Sequence, residues 1–474
     1  ITKKDLFING EWVKAQKYRT LISPYSGAAI AEVPMATEEE VDLAIESAWK
    51  NKKLMAKMPA YHRSKILEKL SQLLEARAEE AAKIISVESA KPISTSKGEV
   101  ARTIETFKFA AAEAKRICGE TIPLDAAQGG VNRLGYTVRE PIGIIGAITP
   151  FNFPMNLVAH KIGPAIAAGN TIVLKPSSQT PLSSFFIAEL LKEAGLPGGV
   201  LNVITGSGKV VGDRLVTDSR INMITFTGSP EVGIGIRNKA GLKRVTLELG
   251  SNSAVIIDKG VDIDKIIPRC VNGAFTNQGQ VCISLQRIYA HKEVYNDFVE
   301  KFIEETKGLK LGDPLDPETD VSALISSYDV ERVLSWIEEA KKGGADIAIG
   351  GKAEGNILYP TVILNANANL KVSCQEVFAP IVVINKVHSV REAINLVNDS
   401  KYGLQAGIYT NNIQHALETA EKLHVGAVMI NDIPTFRVDN MPYGGVKESG
   451  TGREGIKYAI EEMTEMKLVV WNRN

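Results

Sequence analysis

The stretch INMITFTGSPEVGIGIRNKAGLKRVTLELG, residues 221–250, contains two short apolar segments separated by a glycine turn and a polar-apolar segment. INMITFT and RVTLELG are brief and rich in β-branched residues, which is typical of buried strands. EVGIGIRNKAG between them has a helical pattern and ends in glycine, a common helix stop. A strand, a helix and a second strand in this order predict a parallel sheet with crossover helices.

The same alternation continues on both sides of this stretch. GIIGAIT, NTIVLK and VLNVIT are predicted strands upstream, and NLVAHKIGPAIAAG and PLSSFFIAELLKEAG are predicted helices. The pattern resumes after residue 284 with the strand SLQRIYA, a helix near 293–307 and the strand GAVMIND. Residues 38–118 are predicted to be helical. The sequence thus predicts an α/β fold with two doubly wound parallel-sheet lobes that meet near residue 249.

Two segments do not fit the alternating pattern. PLDAAQGGVNRLGYTVREP, residues 123–141, has a Gly-Gly turn between extended segments and predicts a hairpin, with a surface loop as the alternative. The tail MTEMKLVVW predicts one more strand. A strand at a terminus has an open edge, which favours pairing with another subunit.

Composition excludes several classes of protein. The chain has 474 residues, and its 55 basic side chains balance 55 acidic ones, so charge gives no reason to expect nucleic acid or a membrane surface as partner. No secretory signal or membrane-spanning run is evident. The four cysteines are widely spaced, which favours free thiols and a cytoplasmic protein over a disulfide framework. No CxxC or HExxH pair occurs, so no metal site is expected.

Two glycine-rich junctions follow predicted strands. TGSGKVVG contains Gly206, Gly208 and Gly212, with GxGxxxG spacing where a dinucleotide fingerprint has GxGxxG. FTGSPEVG contains Gly228 and Ser229 where a helix begins, and the free N–H groups of a helix N-terminus suit a pyrophosphate. The two junctions together favour a nucleotide site, with ordinary strand-to-helix turns as the alternative.

Glu248 and Cys282 are the candidate reactive groups. Glu248 lies in the apolar strand VTLELG, where it is either paired in an ion pair or strand-end cap, or a general base whose pKa burial raises. Cys282 in FTNQGQVCIS follows residues that indicate a turn or helix end, whereas an inert cysteine prefers an apolar core. A thiol at a turn favours a nucleophile. Core packing and a Cys–His hydrolase are the alternatives, the latter without a local signature.

Seven segments resemble the aldehyde dehydrogenase superfamily in their order along the chain. The resemblance runs from FINGEWV near the start to YGGVKESGTGREG near the end. The segments are TPFNFPMN (149–156), LKPSSQTP (174–181), FTGSPEVG (226–233), LELGSNS (247–253), GQVCIS (279–284), EVFAPI (376–381) and MPYGGVKESG (441–450).

The resemblance implies catalytic roles for three residues. Cys282 would attack an aldehyde to form a thiohemiacetal. The side-chain amide of Asn152 and the backbone N–H of Cys282 would stabilise the oxyanion. Glu248 would activate the water that hydrolyses the resulting thioester. Many members have Gly where this chain has Ser251, and a positive φ there would make the serine alter the loop beside Glu248 slightly.

The resemblance also implies NAD or NADP as cofactor. Members strict for NAD often have Glu at position 178, where it repels a 2′-phosphate, so Ser178 predicts that NADP is accepted. The implied cofactor-binding residues are Lys175, Ser178, Gly208, Gly228, Ser229, Glu376 and Phe378.

The family's organisation implies three parts. We expect a cofactor-binding domain in residues 1–116 and 139–248, and a catalytic domain in residues 249–446. Residues 117–138 and 461–474 resemble oligomerisation elements, so a homodimer or homotetramer is expected.

Two arginines bear on the substrate. Arg102 and Arg437 lie where non-phosphorylating glyceraldehyde-3-phosphate dehydrogenases have anion-binding arginines, and the guanidinium fork suits phosphate, sulfonate or carboxylate. That group also has Arg before the catalytic cysteine, where this chain has Val281. Other segments resemble lactaldehyde dehydrogenases. The expected substrate is a small hydroxyaldehyde, with or without an anionic tail, and structural salt bridges are the alternative role of the arginines.

Two further functions remain as alternatives. A CoA-acylating semialdehyde dehydrogenase would transfer the acyl group to CoA, but such members usually lack the Glu base. A non-catalytic binding protein that keeps the fold would not need Cys282, Glu248 and Asn152 together.

Overall fold

The computed structural model describes residues 2–473, so residues 1 and 474 of the expected domain ranges lie outside it. The helices of the described residues are α1 (Glu38–Lys57), α2 (Ala60–Ala76), α3 (Ala78–Ser89), α4 (Ile93–Ala114), α5 (Asn156–Ala168), α6 (Leu182–Glu193), α7 (Asp213–Thr217), α8 (Pro230–Lys239), α9 (Ile263–Phe275), α10 (Tyr295–Lys307), α11 (Ser327–Lys342), α12 (Lys371–Cys374), α13 (Val390–Asn398), α14 (Ile413–Lys422) and α15 (Ile456–Glu462).

The strands of the same residues are β1 (Thr2–Lys3), β2 (Leu6–Ile8), β3 (Glu11–Val13), β4 (Tyr18–Ile22), β5 (Ala29–Pro34), β6 (Thr121–Ile122), β7 (Arg133–Pro141), β8 (Ile144–Ile148), β9 (Thr171–Lys175), β10 (Leu201–Val203), β11 (Met223–Thr227), β12 (Arg244–Glu248), β13 (Ala254–Ile257), β14 (Arg287–His291), β15 (Asp346–Ile349), β16 (Ala353–Glu354), β17 (Ile357–Leu358), β18 (Thr361–Leu364), β19 (Ile381–Val387), β20 (Tyr402–Gly403), β21 (Gln405–Tyr409), β22 (Ala427–Ile430), β23 (Val446–Lys447), β24 (Gly450–Thr451) and β25 (Thr464–Asn472).

The first large sheet has the strand order β24-β12-β11-β8-β9-β10-β2-β3. Its central strands β12, β11, β8, β9 and β10 are parallel, as the alternating sequence pattern predicts. Apolar side chains cover both of its faces, which explains why these strands read as continuous apolar runs. At one margin β24 is antiparallel to β12, and at the other β2 is antiparallel to both β10 and the edge strand β3, so the sheet is mixed at its margins.

The second large sheet has the order β15-β18-β19-β14-β13-β21-β22. Its strands are parallel except for the edge strand β15. Two parallel-centred sheets covered by helices confirm the predicted α/β class. The division into cofactor-binding and catalytic domains stays a prediction.

The predicted hairpin is confirmed in part. Its second extended segment forms β7, but the residues before and at the Gly-Gly turn form short 3₁₀ turns at Leu124–Ala126 and Gln128–Gly130, and the first strand, β6, lies just before the quoted stretch. With the tail strand these two strands form a three-stranded sheet. β6 has only two residues and pairs antiparallel with β7, and β25 pairs along the whole length of β7. The tail therefore supplies the longer partner, and β25 lies at the edge of this sheet. No helix within residues 2–473 is long and apolar enough to cross a membrane.

Candidate active site

Cys282 follows a tight turn at the end of α9. Asn277 and Gln278 adopt left-handed backbone conformations, with φ of 49° and 57°, and Gly279 follows with φ of 70°. A Cβ at Gly279 would lie 2.1 Å from the carbonyl oxygen of Ala379. Strained backbone of this kind persists only where its surroundings enforce it, and it presents the next residues in a fixed direction.

Side-chain amides hold this turn against the segment that contains Asn152. Asn277 Nδ2 donates to the carbonyl oxygens of Asn152 and Gln280, at 3.1 and 3.2 Å. Asn152 Nδ2 donates to the carbonyl oxygen of Gln280 at 3.0 Å. The side-chain amide of Asn152 therefore contacts Gln280, which lies two residues before Cys282 in the sequence. The amide nitrogen carries a second hydrogen, which another acceptor can use.

The Cys282 thiol is half-buried and contacts a tyrosine. Its Sγ lies 2.7 Å from the hydroxyl oxygen of Tyr443, a residue 161 positions later in the sequence. The pKa of Cys282 is raised to about 11, chiefly by burial, and the Glu376 and Glu248 carboxylates contribute to the increase. The Tyr443 hydroxyl and the Arg437 guanidinium act in the opposite direction and lower it.

Glu248 ends β12 and is buried. Neither carboxylate oxygen has a hydrogen-bond partner among residues 2–473, so the ion pair or strand-end cap considered from the sequence is absent there. Burial raises the pKa of Glu248 well above its usual range, and the Glu454 carboxylate adds to that effect. A Cβ at Gly444 would lie 3.0 Å from Glu248 Oε1, so the glycine leaves room for the carboxylate.

Glu454 is the charged counterpart of Glu248. Lys161 Nζ donates to its Oε1 and Arg437 Nη2 to its Oε2, each at 3.0 Å. Burial disfavours its charge, but Lys161 and Arg437 outweigh that cost and hold the pKa of Glu454 at about 2. The surroundings therefore move the pKa values of the two buried carboxyl groups in opposite directions.

A cavity of about 570 Å³ opens beside Cys282. Arg102 and Arg437 both line it, so the structure brings the two predicted arginines to the thiol. Asn152 and Glu248 are buried and are not among its lining residues. Its apolar lining consists of Phe153, Leu157, Val281, Ile283, Ile433 and the ring of Tyr443.

Both arginines are also engaged in ion pairs. Arg102 donates to the two oxygens of Asp439, at 2.8 and 3.2 Å, and remains partly exposed. Arg437 is almost fully buried, lies 3.6 Å over the Tyr443 ring and has an Nε without a partner among the described residues. The structural salt bridges considered from the sequence are thus present, and the same two arginines also line the cavity.

Glu376 and Phe378 belong to the loop between α12 and β19, and the Glu376 carboxylate lies near enough to Cys282 to raise the pKa of its thiol. Glu376 Oε1 accepts from the backbone N–H of Ser251 at 3.0 Å, and burial raises the pKa of Glu376 to about 7. Phe378 has a left-handed backbone with φ of 54°, a strained state for an aromatic residue. Ser251 is not among the residues with positive φ, so the expectation that it changes the loop has no backbone basis.

The remaining predicted cofactor residues lie at the carboxyl ends of strands in the first sheet. Lys175 ends β9 and is buried, and Ser178 follows it. Ser229 caps α8, and Gly228 precedes it with its N–H bonded to the Glu248 carbonyl oxygen at 3.0 Å. Gly208 begins a wide helical turn, and a Cβ there would meet nothing within 4 Å.

Comparison with known proteins identifies the family of this chain. Residues 12–469 match the model of the aldehyde dehydrogenase family. The chain belongs to this family. It is therefore an enzyme that oxidises an aldehyde to an acid with NAD(P).

Named relatives of this aldehyde dehydrogenase match over almost their whole length. It is 47% identical over 467 residues to a 3-sulfolactaldehyde dehydrogenase of Priestia megaterium, covering 98% of each chain. It is 45% identical over 471 residues to a lactaldehyde dehydrogenase of Methanococcus aeolicus, covering 98% of this chain and 100% of the relative. A glyceraldehyde-3-phosphate dehydrogenase of Methanocaldococcus jannaschii complexed with NADP has a TM-score of 0.93 at 42% identity, covering 96% and 100%.

Sequence reasoning assigned no role to three residues of this aldehyde dehydrogenase. Tyr443 and Glu454 lie in segments quoted for the resemblance, and Lys161 lies in the predicted helix NLVAHKIGPAIAAG. A buried lysine in the otherwise apolar helix α5 and a carboxylate among glycines were the available signals. Lys161 and Glu454 lie 293 residues apart in the chain, and Tyr443 and Cys282 lie 161 apart, so the sequence did not pair them.

We expect Tyr443→Phe to make the thiol less acidic. The variant removes a hydrogen-bond donor to the thiolate, and such a bond to a charged group is worth roughly 1.5–3 kcal/mol, or about one to two pKa units. In wild type the rate of iodoacetamide alkylation of Cys282 should rise with pH through the thiol pKa of about 11. In the variant the rise should occur at higher pH, with alkylation at pH 8 slower by about tenfold.

Tyr409→Phe is the matched control, because Tyr409 is equally buried but belongs to the core around Cys270. It should leave the alkylation profile unchanged. Identical profiles for wild type and Tyr443→Phe would show that the hydroxyl does not act on the thiol.

Proposed function

We propose that this enzyme oxidises a small aldehyde with an anionic tail, with lactaldehyde-sized hydroxyaldehydes as the neutral alternative. The supporting observation is that Arg102 and Arg437 line the same cavity as Cys282. The names of the relatives agree with it, since 3-sulfolactaldehyde and glyceraldehyde-3-phosphate are anionic and lactaldehyde has the same small size.

Cys282 is the proposed nucleophile. The thiol first loses its proton to solvent. The thiolate sulfur then forms a bond to the aldehyde carbon while the C=O π bond breaks, and the carbonyl oxygen becomes an oxyanion. The second amide hydrogen of Asn152 and the backbone N–H of Cys282 stabilise that oxyanion. Burial raises the pKa of the thiol to about 11, so we expect few thiolates at neutral pH in the free protein, and Tyr443 and Arg437 supply stabilisation of the thiolate.

The residues of the cofactor groove fit a nicotinamide nucleotide, because Lys175 is a buried cation that forms no ion pair within residues 2–473. The proposed holders are Lys175 and Ser178 for the adenosine ribose, Gly208, Gly228 and Ser229 for the pyrophosphate, and Glu376 and Phe378 for the nicotinamide riboside. When bound, the nucleotide supplies the acceptor for the hydride that leaves the substrate carbon. NADP is accepted with NAD, because Ser178 places no carboxylate beside the 2′ position.

Glu248 is the proposed general base. Loss of hydride leaves a thioester on Cys282, and water must attack its carbonyl carbon to release the acid and the thiol. In its ionised form Glu248 has two oxygens without a partner among the described residues, and its raised pKa makes that carboxylate a strong acceptor for the proton of the water. The negative charge of Glu454 keeps this affinity for protons high.

The test is nucleotide reduction at 340 nm with NAD and NADP side by side. The substrates are lactaldehyde, propanal, succinate semialdehyde, glyceraldehyde-3-phosphate and sulfolactaldehyde. We expect turnover that favours the anionic aldehydes and disappears in Cys282→Ala, because the sulfur forms the covalent bond. Residual dehydrogenase activity in Cys282→Ala would reject the nucleophile. Turnover that requires free CoA would favour the acylating alternative.

Arg102→Gln tests the anionic tail. We expect the KM for an anionic aldehyde to rise by about 10- to 100-fold, since a charge-assisted hydrogen bond is worth roughly 1.5–3 kcal/mol. The KM for propanal should stay within about twofold. Arg116→Gln, an exposed arginine just after the same helix, is the matched control and should change neither value. A parallel rise with propanal would assign Arg102 to structure.

We further propose that the enzyme is a homodimer or homotetramer whose subunits pair through the edge of β25. Met466, Leu468 and Val470 alternate along this strand and are 57%, 52% and 47% exposed. A long exposed apolar edge strand is unfavourable in a lone subunit, because its backbone groups and side chains favour pairing with a second strand.

Leu468→Glu should weaken this association. A carboxylate in the middle of the strand would face its counterpart in a symmetric partner, so charge repulsion and lost apolar burial act together. Light scattering should give a smaller mass than for wild type, and the exposed Tyr328→Glu should retain the wild-type mass. A monomeric wild type would reject the proposal.

A further inference from the structure

Arg19 of β4 lies against the segment that carries Ser178. Its Nη2 donates to the carbonyl oxygen of Ser178, although the two residues lie far apart in the chain. Its Nε is buried and has no hydrogen-bond partner within residues 2–473. A guanidinium has five N–H donors, and a buried donor without a partner is costly. The Arg19 guanidinium therefore has N–H donors available to a bound group that is not part of the protein.

A second cation lies beside Arg19. Burial and the Arg19 guanidinium together lower the pKa of Lys175 to about 8. Lys175 Nζ has only a long contact, 3.5 Å, to the carbonyl oxygen of Pro176. Burial lowers the pKa of Arg19 as well, and no carboxylate raises the pKa of either group. Two like charges that repel each other without a counterion form a site for an anion.

The residue at position 178 indicates which anion binds here. A glutamate there would neutralise both cations, whereas Ser178 leaves them free. Lys175 is the residue proposed above for the adenosine ribose, so the free charge lies beside the ribose 2′ position. Neither Arg19 nor Lys175 lines the cavity beside Cys282, so the anion is part of the nucleotide and not of the aldehyde.

We propose that Arg19 determines cofactor choice by binding the 2′-phosphate of NADP together with Lys175. The inference rests on the proposed nucleotide dependence and deepens it. The guanidinium fork meets two phosphate oxygens at once, and the phosphate dianion relieves the repulsion between the two cations. NAD leaves that repulsion in place. The N-terminal strand β4 thus contributes to specificity, although it lies outside the large sheet that carries Lys175.

The test measures binding without turnover. Calorimetry with 2′,5′-ADP and with 5′-AMP isolates the 2′-phosphate, since the two probes differ only in that group. Wild type should bind 2′,5′-ADP more tightly. In Arg19→Gln the Kd of 2′,5′-ADP should rise by about 10- to 100-fold, while the Kd of 5′-AMP should change by less than about twofold. Arg19→Lys should lose less affinity, because it keeps the charge without the fork.

Lys17→Gln is the matched control, because it removes one positive charge from an exposed position just before the same strand. It should leave both Kd values unchanged. Steady-state kinetics should agree, with a higher KM for NADP in Arg19→Gln and an unchanged kcat and KM for NAD.

Four outcomes would overturn the proposal. An equal loss of affinity for both probes would show that Arg19 only supports the Ser178 segment. No loss of affinity for either probe would show that Arg19 does not belong to the site. Equal binding of both probes by wild type would reject a 2′-phosphate subsite while leaving the NAD reaction intact. Wild type that binds neither probe would reject the proposed nucleotide dependence itself, and the inference with it.

Discussion

The buried carboxylate of Glu454 organises the reactive end of the cavity. Its backbone N–H and carbonyl oxygen pair with those of Tyr443, at 2.7 and 3.0 Å, and its side chain binds Lys161 and Arg437. Arg437 in turn packs on the Tyr443 ring, whose hydroxyl contacts Cys282. Removal of a buried charge of this kind leaves its partners unpaired and commonly costs several kcal/mol. The position of the thiol therefore depends on an ion cluster that does not itself touch it.

The same carboxylate sets the protonation of its neighbours. Lys161 and Arg437 keep Glu454 charged, and that charge together with burial keeps the pKa of Glu248 high. Groups whose surroundings separate their pKa values in this way can divide acid and base work between them. Cys282 responds to both signs of charge, since Glu248 raises its pKa and Arg437 lowers it. The charges of these side chains thus influence one another's pKa values.

The segment after residue 441 connects the first large sheet to β20, which lies just before β21 of the second large sheet. Its strand β24 pairs with β12 at Gly450 opposite Glu248, while β23 pairs with β20. A Cβ at Gly450 would lie 2.1 Å from the Leu247 carbonyl oxygen, so only glycine allows this close approach. The segment thereby brings Tyr443 and Glu454 between Glu248 on the first sheet and Cys282, which follows helix α9 of the second.

The sequence by itself determined the strands β8 to β12, the helices α5, α6 and α8, and the candidates Cys282 and Glu248, while the family resemblance added Asn152. Local periodicity and glycine stops fix such elements, because each depends on neighbours a few residues apart. Only the tertiary structure decided that Tyr443 meets Cys282 across 161 residues and that Arg19 meets Ser178 across 159. The partners of buried charges such as Glu454 were equally hidden. These contacts arise where separate elements pack together, and no local pattern records which distant side chain will face which.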